Sequence, residues 1–142
     1  MPRALLLGLV AMAGSPALAD GASLFAGTCG ACHGEAGVGI PGLAPPLHNA
    51  ELWAALGERA PAYIAGVVAN GLSGRLTVAG QDYVGLVMPP QAHLGAEELA
   101  EMATYVLADL NGTGQAVTPA QIEAARAERS SHADLRALRE AR

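Results

Sequence analysis

The chain opens on one arginine at position 3 and then an apolar run from Ala4 to Ala13, ended by Gly14-Ser15-Pro16 and by the small-residue step Ala17-Leu18-Ala19. A charged start, a short apolar centre and an A-x-A close are the order of a secretory signal peptide. The run falls short of the roughly 20 apolar residues that cross a bilayer. Residues 1–19 are therefore expected to be removed, leaving a mature chain from Asp20. An uncleaved anchor or a buried N-terminal helix is the competing reading. No cysteine follows Ala19 to take a lipid.

Beyond this segment, apolar residues recur at helical spacing in short stretches. The pattern predicts a first helix over 22–32, with Asp20 as its cap, and short helices over 50–56 and 61–69. Pro61 opens the latter at a first-turn position and Asn70-Gly71 ends it. Residues 97–110 form the last core helix, with acids at its positive end and Asn111-Gly112 as its stop. Thr118 and Gln121 make a capping box with Pro119 at the first helical position, predicting a helix over 119–129. Ser131 caps a further turn that places Leu135 and Leu138 on one face. Strand signals are thin, so the expected fold class is all-α. The segments 34–49 and 71–94 are long, Gly/Pro-rich connections, and loops of that length are uncommon unless they have a task.

Composition sharpens this picture. With one Phe, one Trp and three Tyr, the chain has few large side chains for a core. Lysine is absent, and removal of Arg3 leaves seven arginines against thirteen acids, a net charge of −6. An acidic chain without a basic stripe excludes nucleic acid as the expected partner. Residues 20–112 hold two arginines and nine acids, whereas 113–142 hold five arginines and four acids. The shift marks a boundary near Asn111-Gly112-Thr113-Gly114, dividing a core domain from a C-terminal helical extension. That extension is expected to pack peripherally on the core, or else to dock on a partner.

The two cysteines stand in Cys29-Gly30-Ala31-Cys32-His33. A disulfide over so short a loop would remove little unfolded-chain entropy. Two thiols three positions apart on a helical turn can instead add to the two vinyl groups of haem, with His33 offering its imidazole to the iron. A thioredoxin-type dithiol would call for a preceding strand, and zinc for four ligands, whereas His48, His93 and His132 are scattered singly. For the second axial position, Met12 leaves with the signal peptide and Met102 sits in an amphipathic helix, where a thioether fills core space. Met88 precedes Pro89-Pro90 in a loop that can turn its sulfur towards iron; His93 and His48 are its rivals. Arg75, Trp53 and Tyr83 are candidate hydrogen-bond donors to the haem carboxylates, which require partners when buried. Glu35 and Asp82 show no paired-carboxylate arrangement for acid–base work, and no catalytic residue is assigned.

From about Gly21 to Gly112 the sequence resembles the class I c-type cytochromes. Gly21 and Phe25 precede Cys29, and Tyr105 follows, at the spacing with which that family packs its first helix on its last. The resemblance implies that Pro45, in Gly42-Leu43-Ala44-Pro45-Pro46-Leu47, accepts the His33 Nδ1 proton through its carbonyl, while Leu47 packs on the ring. Asn70-Gly71, Gly80, Tyr83 and Met88-Pro89 resemble the loop that leads to the methionine ligand. The implied architecture is a small helical domain over 20–112 wrapped around one covalent haem c, with the extension at 113–142. The implied function is periplasmic one-electron transfer between redox proteins, as a shuttle or as the cytochrome subunit of a dehydrogenase or oxidase. The protein would then be an electron carrier without a stable membrane anchor. A haem sensor or peroxidase-like enzyme with an open sixth position remains the alternative.

Overall fold

A computed structural model of the chain describes residues 20–141, so the expected signal peptide lies outside the described residues. The centre of the fold is a helix that is apolar nearly all round. The stretch Ala60–Asn70 buries Ala60, Tyr63, Ile64, Ala65, Gly66, Val67 and Ala69, as expected of a helix with neighbours on every side. Numbering the helices in chain order, α1 is Gly21–Thr28, α2 Gly30–His33, α3 Ala50–Leu56 and α4 this central helix. They are followed by α5 Ala96–Thr104, α6 Pro119–Glu128 and α7 His132–Glu140. Helices α5, α6 and α7 all pack on α4, and α1 crosses α5.

The α1–α5 crossing is close because position 21 carries no side chain. A Cβ there would sit 2.6 Å from the Glu101 carbonyl oxygen. One turn further on, the Phe25 and Tyr105 rings meet at 5.4 Å between centroids, tilted by 51°. The expected caps are present. Asp20 accepts from the Ser23 N–H at 2.9 Å, Thr118 from the Gln121 N–H at 3.2 Å, and Ser131 from the Asp134 N–H at 3.1 Å. The last core helix is less regular than its periodicity predicts, since α5 passes at Tyr105–Leu110 into a wider π-helical turn.

The all-α expectation needs correcting between residues 71 and 94, where four short strands form. Strands β1 Leu72–Ser73 and β4 Val87–Met88 pair antiparallel, with Leu72 opposite Met88. Strands β2 Leu76–Val78 and β3 Gln81–Tyr83 form a hairpin. Its two-residue turn, Ala79-Gly80, has φ of +50° and +79°, the conformation whose twist matches paired strands. Strands of two or three residues are too short to establish an alternation, so the sequence reads there as loop.

The 113–141 segment is not peripheral in its packing. Ile122 (0% exposed) and Leu135 (2%) belong to the same buried cluster as Phe25, Trp53, Leu99 and Leu107. The Asn70 side chain joins α4 to α6 through the Ala125 carbonyl at 3.2 Å. Helix α7 is fixed by the Arg136 guanidinium on the Ser73 carbonyl, by His132 between the Ser73 hydroxyl at 2.6 Å and the Asn70 carbonyl at 3.1 Å, and by Arg59 on the Leu138 carbonyl at 2.8 Å.

Leu135 seats directly over Gly66. A Cβ at position 66 would lie 2.5 Å from Leu135 Cδ2 and would otherwise meet only the Leu135 Cγ, at 3.9 Å. Gly66→Ala is therefore expected to destabilise the protein by about 1–3 kcal/mol through overpacking. In a Leu135→Ala background the same change should instead stabilise by about 1 kcal/mol, the helix-interior preference of Ala over Gly. Denaturant unfolding of the four variants in this cycle measures the reversal. Equal effects in both backgrounds would contradict the docking of α7 on α4.

Candidate functional site

The Cys29-to-His33 motif lies where α1 bends into α2, and its three functional side chains face one apolar cleft. Cys29 is half-buried and Cys32 exposed at the rim, and both thiols are free. Burial first, and the neighbouring Cys32 second, push the Cys29 thiol up to about 11. Its sulfur rests 3.8 Å from that of Met102, which is buried on α5 and so fills space on the cysteine side of the cleft.

His33 is buried, and its Nδ1 lies 2.8 Å from the Pro45 carbonyl oxygen. A carbonyl can only accept, so Nδ1 carries the proton and Nε2 keeps a free lone pair. Burial pushes the His33 pKa down, outweighing the upward pull of the Pro45 carbonyl, and favours this neutral ring.

The loop that supplies Pro45 is braced from several sides. Gly39, at φ +81°, lets the chain fold back so closely that a Cβ there would sit 2.6 Å from the Pro46 nitrogen. The Leu47 carbonyl accepts from Trp53 Nε1 at 2.8 Å and from Asn111 Nδ2 at 2.9 Å. Asn111 Nδ2 also reaches the Val106 carbonyl at 2.7 Å, and its Oδ1 accepts from the Asn49 N–H at 2.8 Å. Asn111 thus ties the end of the last core helix to the end of the loop before α3. In sequence, Asn-Gly after a helix signals only a stop, so this role went unread.

Met88 reaches the same cleft from β4. Its backbone passes so near α4 that a Cβ on Gly71, at φ +77°, would lie 2.6 Å from the Met88 carbonyl oxygen. Gln91 N–H then bonds the Val68 carbonyl at 2.8 Å and ties the segment beyond Pro89-Pro90 to α4.

Of the remaining sequence candidates, Pro45, Leu47, Trp53 and Tyr83 line the cleft. Trp53 spends its one N–H on Leu47, which removes it as a carboxylate donor in this arrangement. Arg75 does not line the cleft. The β2–β3 hairpin sets it beside Asp82 in an exposed ion pair of 2.5 Å, and hydrogen bonds from Thr77 first and Arg75 second hold the Asp82 carboxyl below its usual range. His48 and His93 also lie off the cleft. Among the described residues no group of three or more His, Cys, Asp or Glu gathers as for a metal ion.

An apolar cleft lined by two thiols and by an oriented neutral imidazole fits a thiol-attached flat macrocycle with a central metal. Comparison with known proteins agrees. Residues 16–106 match the family described as cytochrome c oxidase, cbb3-type, subunit III. The chain belongs to the cytochrome c family.

Two cytochromes c-552 from Thermus thermophilus are each 42% identical to it, over 104 and 90 residues. These alignments take in 72% and 62% of this chain, and 65% and 66% of the relatives. The chain therefore spans just under two thirds of their length. Cytochromes c hold haem c covalently, so the cofactor is haem c with its iron. The family's chemistry is haem-based electron transfer with redox partners, and its members are carriers rather than enzymes in themselves.

Asn111→Ala removes one acceptor and two donor bonds at partly buried groups. It is expected to cost about 1–3 kcal/mol, measured by denaturant unfolding of the haem-loaded protein. Trp53→Phe leaves the Leu47 carbonyl with its Asn111 bond and should cost less.

Proposed function

We propose that this chain is an exported one-electron carrier whose haem c is attached at Cys29 and Cys32, with His33 and Met88 as axial ligands. The observation that carries the reading is the shared cleft. The His33 ring, fixed by Pro45 with Nε2 free, and the Met88 thioether, fixed by β1, face the same apolar space as the two cysteines. Once bound, the haem iron supplies a one-electron couple. His33 would hold the iron through a neutral nitrogen and Met88 through a soft sulfur, a pair that would raise the potential relative to two nitrogens. With both positions filled, small ligands have no site, which favours electron transfer over sensing or peroxide chemistry.

The rim supports an electron route through the haem edge. Cys32 is exposed there, and Leu43 and Val87, which line the same cleft, are 46% and 67% exposed. A partner would dock on this apolar rim, its surface charge matched to a net-negative carrier. The family description favours an oxidase-linked setting, as a shuttle or as a cytochrome subunit. Export rests on the order of charged, apolar and small residues in 1–19. No helix among the described residues is long and apolar enough to cross a membrane. Residues 20–112 are assigned to the cytochrome domain and 113–142 to an extension that completes its core.

The optical spectrum of the haem-loaded protein tests the ligation. The oxidised form should be low-spin with a weak far-red band, and Met88→Ala should abolish that band, render the iron high-spin and admit carbon monoxide in the reduced state. An unchanged spectrum in Met88→Ala would move the ligand elsewhere, with Met102 the other thioether on the cleft. Carbon monoxide binding by the unaltered reduced protein would favour a sensor or peroxidase-like enzyme instead.

A further inference from the structure

Resting on that reading, we infer that Arg139, in the last turn of α7, is the cationic partner of a haem carboxylate. Haem carries two carboxylate side chains, and a carboxylate drawn out of water needs a charged or hydrogen-bonding partner. Among the described residues that line the cleft, Arg139 is the one arginine, and the chain has no lysine. Two of the three sequence candidates for this task are otherwise engaged, Arg75 with Asp82 and Trp53 with Leu47, and the third, Tyr83, lines the cleft as an uncharged donor.

Arg139 is half-buried, and among the described residues no carboxylate pairs with it. Its guanidinium lies 6.0 Å from the centroid of the Tyr63 ring, and Nη1 reaches the Tyr63 hydroxyl at 3.3 Å. A guanidinium has five N–H donors, so this single long bond leaves most of them available to a bound carboxylate. The side chain is also held in place. Leu135 over Gly66, Arg136 on Ser73 and Arg59 on the Leu138 carbonyl fix α7 in the turn that leads to it. The C-terminal extension thereby contributes a charge to the cofactor site as well as apolar area to the core.

Ferric haem carries one more positive charge than ferrous, so a cation paired at the haem favours the reduced form. In the haem-loaded full chain, Arg139→Gln should shift the redox equilibrium about tenfold towards the oxidised form, equivalent to 59 mV for a one-electron couple, as read by spectroelectrochemical titration. Arg139→Lys, which keeps the charge, should stay near the parent value. Arg129→Gln, an exposed tail arginine off the cleft, should do the same. If Arg139→Gln does not fold, Arg139→Met keeps the apolar stem against Tyr63 and gives the same reading. An unchanged potential in the uncharged variants, or an equal drop in Arg129→Gln, would overturn the assignment, even if thermal stability falls. Failure of the underlying ligation shows separately, as a missing far-red band in the unaltered protein.

Discussion

The hydrogen bond from His33 Nδ1 to the Pro45 carbonyl is the constraint on which the rest of the structure depends. A histidine beside Cys32 on a four-residue helix has no neighbour on its own helix to fix its ring. Its orientation must come from another segment, and that segment must be rigid. Pro46 biases Pro45 towards an extended backbone, Gly39 lets the loop return beneath the ring, and Asn111 with Trp53 grips the Leu47 carbonyl. The long connection over 34–49 is therefore a brace. Its cost in backbone entropy is offset by hydrogen bonds that reach both α3 and the end of the last core helix.

The opposite wall follows the same logic with different parts. Met88 belongs to a two-residue strand, too short to hold itself. It is held because β1 pairs with it, and β1 is in turn tied down by His132 and Arg136 of α7. The C-terminal helix thus acts on the cleft twice, indirectly through β1 and directly through Arg139. The buried Leu135 and Ile122 anchor both effects in the common core.

What the sequence made legible was local. The caps at Asp20, Thr118 and Ser131 and the stop at Gly71 each involve residues within a few positions of one another, and each takes its expected form, whereas the first helix, expected unbroken over 22–32, is divided at Cys29 into α1 and α2. The pairing of Pro45 with His33 came through family resemblance, and the structure has that contact. Where sequence reasoning lost its hold, the deciding partner was distant. Arg75 is a fair carboxylate donor until a hairpin turn sets Asp82 beside it. Trp53 is another until Leu47 takes its N–H. The strands were missed because two residues cannot display a period, and Arg139 because its path to the cleft depends on how a tail of ordinary composition folds back over α4.

The seat of Leu135 over Gly66 also orders events along the chain. A polypeptide made from its N-terminus presents the Cys29–His33 motif before the residues of α7 that close the core on that side. Until α7 arrives, Gly66 is an open notch and β1 lacks the fastening that His132 and Arg136 give it. Closure of the core over that glycine therefore waits on a leucine far along the chain.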